Sequence, residues 1–205
     1  MAHIKLNIAK MMSNYHFLNK LCQQQNIEFI PVTKGILSSF EVCQALYDVG
    51  CRMVADAHWQ NFASWPKPLP LKKMLLQVSP SQVEQALHYG DIFMVSDLSL
   101  LDAMVQKAGQ NHLSFLLPIE VGEGRDGILP QEIEGFLQKA LPLAFVQGFA
   151  FTFGCVKGLC PETTDLNWIE SFCQKHQKQG NFLNSLGGTT FIDLLLQGKL
   201  DQKAH

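Results

Sequence analysis

The sequence has few of the features that mark membrane, secreted or nucleic-acid-binding proteins. Charged residues make up only 17% of the 205 residues, and 18 acidic against 16 basic side chains give a net charge of −2. Lysine and arginine form no cluster, so no nucleic-acid-binding surface is expected. No apolar run reaches about 18 residues, which argues against a membrane-spanning helix. The N-terminus lacks the apolar segment of a signal peptide, and we expect a cytoplasmic protein.

The six cysteines do not form the pattern of a disulfide framework or of a zinc site. Cys155 and Cys160 are separated by four residues, but no second Cys/His pair at zinc spacing accompanies them. All six lie in apolar contexts, and thiols of a cytosolic protein stay reduced. We therefore expect buried structural thiols and no metal site.

Short apolar runs alternate with helical segments along nearly the whole chain. Beginning with residues 28–32, seven strand–helix units can be counted. Such alternation is typical of a parallel sheet covered by helices on both faces. An eighth strand would close a (β/α)₈ barrel, a fold of typically ~250 residues. Residues 4–8 are a candidate for a further strand ahead of a long helix.

The predicted fold is therefore a TIM-like α/β barrel, incomplete at the eighth strand, with residues 1–205 forming a single domain. An open doubly wound sheet is the alternative. In both folds the reactive groups lie at the carboxyl ends of the strands, in the loops that lead to the helices. Polar residues at these positions are the candidates for a functional site.

Lys34 lies two positions after the first predicted strand, residues 28–32. At the mouth of a barrel its amine would be partly desolvated, and the neutral amine is the form that condenses with an aldehyde. The alternative interpretation is a solvent-facing lysine at the end of a strand.

Two later loops also contain residue types that bind anions. Residues 120–127 hold three glycines and a single arginine, Arg125, which could donate to an oxyanion or a phenolate. Residues 187–190 (Gly-Gly-Thr-Thr) precede a helix, and their backbone amides and hydroxyls could bind a phosphate. The alternatives are an ordinary glycine-rich turn with a surface arginine, and a threonine-capped helix.

Taken in order, these segments resemble the fold-type III pyridoxal-phosphate (PLP) enzymes, the alanine racemase-like barrels, and in particular their ornithine/alanine racemase branch. The segments that carry the resemblance are residues 6–10, 32–34, 55–56 with Asn61, 122–127, 148–158 followed by Pro161, and 184–190. The resemblance covers roughly residues 4–200 and implies a barrel of the alanine racemase N-terminal type, with an amino acid as the small-molecule substrate.

The resemblance also implies a role for each candidate residue. Lys34 would hold PLP as an internal aldimine and act as acid and base at the substrate Cα. Arg125 would contact the phenolic oxygen of the cofactor, and Thr152 would lie beside its ring. The cofactor phosphate would be held by Gly187, Gly188, Thr189 and Thr190.

The sequence departs from the family pattern in ways that leave the activity open. His58 and Gln77 stand where arginines are usual, and only five residues follow Leu200, where the family's eighth strand and its C-terminal β domain would lie. That domain supplies a second catalytic base in the racemases, and the candidates for this role here are Cys155 and His58.

Three hypotheses follow from the resemblance and these departures. The chain is a PLP-dependent amino-acid racemase, with a homodimer or a partner chain completing the barrel. Alternatively, it is a non-catalytic PLP-binding protein of cofactor homeostasis. Third, it is a truncated, inactive remnant, whose exposed sheet edge would promote association.

Overall fold

The computed structural model of the protein describes residues 5–109, 113–142, 145–176 and 183–200. Its central element is a six-stranded parallel sheet in which the strands are neighbours in chain order. The strands are β1 (Met53–Asp56), β2 (Lys72–Leu75), β3 (Ile92–Met94), β4 (Ser114–Ile119), β5 (Phe145–Thr152) and β6 (Leu183–Gly187). A doubly wound sheet would reverse its strand order at a switch point, so the sheet is the predicted incomplete barrel.

The predicted first strand, residues 28–32, lies beside β1 but pairs with it at only one point. Val32 and Ala55 form an isolated parallel bridge, in which the Ala55 N–H donates to the Pro31 carbonyl at 2.9 Å. The Thr33 N–H donates to the Ala55 carbonyl at 2.8 Å. Proline has no N–H to donate, which limits a longer ladder here. All seven predicted strand positions are therefore occupied, the first as a bridge.

Eight α-helices lie within the described residues. They are α1 (Ile8–Gln23), α2 (Phe40–Asp48), α3 (Trp59–Ala63), α4 (Val83–Tyr89), α5 (Leu98–Ala108), α6 (Ile133–Ala140), α7 (Thr163–His176) and α8 (Ile192–Leu196). Three 3₁₀ turns accompany them: Lys34–Ile36, Pro80–Gln82 and Thr189–Phe191. Across the described ranges, none of the helices has the length and apolarity needed to cross a bilayer.

The prediction of a strand over residues 4–8 is wrong for its described part. The Asn7 side chain accepts a hydrogen bond from the Lys10 N–H at 3.0 Å, so Asn7 caps α1 and Ile8 is already its first residue. An asparagine cap satisfies one of the free N–H groups of the first turn, and this stabilises helix over strand. Residue 4 itself lies outside the described residues.

The strands divide their side chains between two apolar layers. The larger layer fills the space between the sheet and the helices and includes the fully buried Phe93, Phe115 and Phe149. The smaller layer lies on the opposite face of the sheet and consists of Ala55, Met74, Ile92, Leu116 and Ala150. Because both faces are buried, the strands read as continuous apolar runs.

The sheet has an open side, bordered by the Val32 segment and by β6. Val32 is 53% exposed and Leu183, the first residue of β6, is 62% exposed. Within the described residues no strand pairing joins these two borders.

On this open side of the sheet, two helices from opposite ends of the described chain nevertheless contact each other. Helix α1 packs against α8. The buried Gln25, just after α1, donates from Nε2 to the Leu195 carbonyl at 2.6 Å and accepts from the Leu200 N–H at 3.0 Å. One side chain thus satisfies two backbone groups at the end of α8.

Candidate functional site

The predicted site residues all lie at the carboxyl ends of the parallel strands. Lys34 follows the Val32 bridge, Arg125 follows β4, Thr152 ends β5 and Gly187 ends β6. Because parallel strands end at the same edge of a sheet, this arrangement brings the loops to one mouth of the incomplete barrel.

Lys34 begins the 3₁₀ turn Lys34–Ile36, and its side chain is exposed. Of the two interpretations of this lysine, the structure therefore shows the solvent-facing lysine at the end of a strand and not the partly desolvated amine. The physical reason is that the residue borders the open side of the sheet. Among the described residues, no hydrogen bond or ion pair joins the Lys34 amine to Arg125 or to residues 187–190.

A buried polar network fixes the turn that carries Lys34. The Asp56 carboxylate, fully buried at the end of β1, accepts from Ser38 Oγ at 2.6 Å and from the His58 N–H at 2.9 Å. Asn61 Nδ2 lies 3.0 Å from each of its oxygens. The Ser38 hydroxyl also lies 2.7 Å from Thr33 Oγ1, which is next to Lys34 in the chain.

This network holds a backbone conformation that would otherwise be unfavourable. Leu37 and Ser38 have φ values of 53° and 46°, two successive left-handed residues without glycine. Such residues cost free energy and persist where surrounding contacts fix them. Asp56 and Asn61 belong to one of the segments that carry the family resemblance, and the structure brings them into contact.

Arg125 lies in a loop that folds around a carboxylate of its own. Glu120 accepts hydrogen bonds from the N–H groups of Gly122 at 2.6 Å, Gly124 at 3.0 Å and Arg125 at 2.9 Å. The Arg125 side chain is exposed, and its Nη1 donates to Cys155 Sγ at 3.0 Å. Arg125 therefore already contacts the loop that follows β5.

Glu123 joins these two loops, and the sequence analysis missed it. The side chain is only 2% exposed and its carboxylate accepts four backbone N–H groups of the next loop. The donors are Gly154 at 2.6 Å, Val156 at 2.7 Å, Lys157 at 2.8 Å and Leu159 at 3.2 Å. The only local signal was a glutamate between Gly122 and Gly124, and its partners lie more than thirty positions further along.

Cys155 and Cys160 are exposed, so the prediction that they are buried is wrong. Both lie in the loop after β5, which leaves the two apolar layers and faces solvent. The other four cysteines are buried, and all six are free thiols. In the described part of the chain, no three His, Cys, Asp or Glu side chains are grouped as metal ligands.

Thr152 and the Gly187–Gly188 pair lie against each other at the ends of β5 and β6. Thr152 pairs with Gly187 in the sheet, and a Cβ placed on Gly187 would lie 3.0 Å from Thr152 Oγ1. Gly188 has a φ of 123° and leaves room for the Phe153 carbonyl, which would lie 2.3 Å from a Cβ. A side chain at Gly188 would be strained and would also clash.

The 187–190 loop contains a buried hydroxyl that lacks a partner. Thr190 Oγ1 is inaccessible to solvent and has no hydrogen-bond partner among the described residues. Gly154 packs against the same side chain, with a Cβ position 2.4 Å from Thr190 Cγ2. Thr189 begins the 3₁₀ turn and is exposed. An orphaned donor beside a glycine-lined backbone fits an anionic oxygen such as that of a phosphate.

We expect acidic pH to lower the free energy of unfolding, in part because the Glu123 carboxylate becomes protonated. The N–H groups of Lys157 and Val156, followed by that of Gly154, lower the pKa of Glu123 from 4.5 to about 2. Because the folded pKa lies below the unfolded one, the stabilisation is complete above about pH 4.5 and is lost as the pH falls towards 2. The free energy of unfolding, measured with urea, should fall between pH 6 and pH 2.5, and it should fall less in Glu123→Gln. Glu134→Gln is the control, since it removes an exposed ion pair with Lys175, and it should reduce the pH dependence of stability less. Equal effects of the two variants would contradict the contribution assigned to Glu123.

Comparison with known sequences identifies the family to which the chain belongs. The profile of the alanine racemase N-terminal domain matches residues 6–192. Ornithine racemase of Acetoanaerobium sticklandii is 24% identical over 209 residues, covering 97% of this chain and 59% of the relative. The chain thus spans less than two thirds of the length of that enzyme.

Solved structures show the same fold. Alanine racemase of Clostridium difficile 630 superposes with a TM-score of 0.69 at 14% identity, covering 88% of this chain and 51% of that one. A mutant of the enzyme SrLDC in complex with PLP gives a TM-score of 0.65 at 16% identity, covering 96% of this chain and 56% of that one. The sheet order, the shared fold and the profile match agree, and the chain belongs to the alanine racemase N-terminal domain family.

Proposed function

We propose that the chain forms one PLP-binding barrel-like domain and acts in the cytoplasm as an amino-acid racemase. The observation that carries the proposal is the buried Thr190 hydroxyl, which has no hydrogen-bond partner in the described part of the chain. It lies in a glycine-lined loop at the same edge of the sheet as Lys34 and Arg125. The family membership and the PLP bound by the structural relative SrLDC support this assignment.

The residues at the mouth fit the parts of the cofactor. The Lys34 amine would bind its aldehyde, and Arg125 would donate to its phenolic oxygen. Gly187, Gly188, Thr189 and Thr190 would hold the phosphate, with Thr152 beside the ring. When bound, PLP supplies an electron sink for a carbanion at the substrate Cα.

The chain's own residues would move the protons. Lys34, whose backbone turn is fixed by the Asp56 network, would accept and return the proton at the substrate Cα on one face. Racemisation requires a second proton donor on the other face. Cys155 and His58 are the candidates in this chain, and a second copy or a partner chain covering the open side of the barrel is the other source.

The experiment has two readouts on the purified chain. Titration with PLP should produce an absorbance band at about 420 nm, the region expected for a protonated Schiff base between the cofactor and an amine. The loaded protein is then incubated in D₂O with L- and D-alanine and ornithine, and deuterium at Cα is measured against free PLP. A band with exchange above the free cofactor supports a racemase. A band alone supports the non-catalytic PLP-binding hypothesis, and a folded protein without a band contradicts both.

A further inference from the structure

One carboxylate connects the loop that carries Arg125 with the loop that follows β5. We call Glu123 and its four backbone donors in residues 154–159 the Glu123 clamp. A second contact runs the other way, because Lys157 Nζ donates to the Gly122 carbonyl at 2.7 Å. The clamp lies at the mouth of the incomplete barrel, and the roles implied by the family resemblance do not include it.

The clamp also extends to the loop after β6. Gly154, which donates to Glu123 at 2.6 Å, packs directly against the Thr190 side chain. The neighbouring Phe153 donates its N–H to the Gly187 carbonyl at 3.0 Å. The position of Glu123 therefore determines how residues 153–154 support the loop with the unpartnered Thr190 hydroxyl.

Glu120 provides an internal comparison. It accepts three backbone N–H groups, but all three belong to its own loop. Loss of Glu120 would remove only hydrogen bonds within one loop, whereas loss of Glu123 would remove the hydrogen bonds that connect two loops. The same chemistry thus occurs twice, once within a loop and once between loops.

We propose that Glu123 is a positioning residue that fixes the phosphate-binding loop and Arg125 relative to each other. This inference rests on the proposed function, since it assigns the 187–190 loop to the cofactor phosphate. The role requires a carboxylate. Four N–H donors need an acceptor with several lone pairs on two oxygens, and in glutamine the NH₂ group would face two of those donors.

The test compares Glu123→Gln with wild type and with Glu120→Gln, each as the 205-residue chain. Dissociation constants are measured for PLP and for pyridoxal, which lacks the phosphate, together with the absorbance spectrum of each complex. We expect Glu123→Gln to weaken PLP binding about tenfold or more, the effect of losing one charge-assisted hydrogen bond. Pyridoxal binding should change by less than about threefold, since that ligand does not use the phosphate loop. Glu120→Gln should change both constants by the same factor.

Glu123→Asp keeps the charge and tests the same point if the glutamine variant does not fold. It should recover part of the PLP affinity, because a shorter carboxylate still reaches some of the four donors. Equal losses for PLP and pyridoxal, or unchanged PLP binding in a folded variant, would overturn the proposal while leaving the proposed function intact.

Amide hydrogen exchange of the cofactor-free chain separates this inference from the proposed function. The N–H groups of Val156 and Lys157 should be protected in wild type and exchange at least about tenfold faster in Glu123→Gln, because their hydrogen-bond acceptor is lost. If wild type binds no PLP, the proposed function fails, and this exchange alone decides the clamp. Unchanged exchange would overturn it.

Discussion

Replacement of Lys34 by alanine is expected to abolish the long-wavelength absorbance of the PLP-loaded chain. A lysine amine is required to bind the cofactor aldehyde, and Lys34 is the lysine at the mouth whose amine is uncommitted. Lys157, another lysine at this edge, donates to the Gly122 carbonyl at 2.7 Å. Within the described residues Lys34 has no hydrogen-bonding or ion-pair partner, so its amine is available.

Covalent trapping makes this prediction specific to a residue. Borohydride reduction of the loaded chain, followed by digestion and mass spectrometry, should place the pyridoxyl group on the peptide containing Lys34. Lys72→Ala is the matched control, since Lys72 is an exposed lysine at the start of β2, the opposite end of the sheet. A band that survives Lys34→Ala, or a label mainly on Lys72 or Lys157, would assign the attachment to another residue.

Gly148→Ala should destabilise the protein more than other single-methyl additions. A Cβ at Gly148 would lie 1.7 Å from the Leu183 carbonyl oxygen and 2.7 Å from its nitrogen. These are backbone atoms of β6, so no side-chain rotation can relieve the clash. We expect a loss of about 3 kcal/mol or more in the free energy of unfolding, the upper part of the range for overpacking. Because β6 leads into residues 187–190, PLP affinity should fall as well.

Alanine substitution of Gly135 is the control for this measurement. This glycine lies within α6, and no atom comes within 4 Å of a Cβ placed there. Gly135→Ala should therefore stabilise the chain by about 0.5–1 kcal/mol, the helix propensity difference between the two residues. Urea midpoints give both values. Equal midpoints for wild type and Gly148→Ala would show that β5 and β6 do not approach this closely in solution.

Much of the fold could be predicted because parallel strands buried on both faces are apolar throughout. The positions of β1 to β5 follow from such runs, and β6, which has no fully buried residue, is the exception. The loops that carry Lys34, Arg125 and Thr152 follow from the shared direction of the strands. Residues 4–8 misled the prediction, since an apolar alternation there competes with the Asn7 cap of α1. Local capping is a weaker sequence signal than periodicity.

The supporting contacts of the site could not be predicted in the same way. Asp56 accepts from Ser38 across 18 positions, and Glu123 accepts from residues 31 to 36 positions away. In the sequence, an isolated carboxylate in a loop cannot be distinguished from an exposed surface residue, because its hydrogen-bond donors come from distant parts of the chain. The burial of Glu123 and the exposure of Cys155 both follow from how two loops pack, and neither has a periodic pattern.

The Gln25 contact has a consequence for the order in which contacts form while the chain is synthesised. Its two partners, Leu195 and Leu200, lie 170 and 175 positions further along. A ribosome adding about 5–20 residues per second needs on the order of ten seconds or more to cover that distance. During that interval the surface of α1 that packs against α8 has no partner. Helix α1 thus contacts α8 only after some 170 further residues have been added, and contacts of such high sequence separation belong to slow-folding topologies.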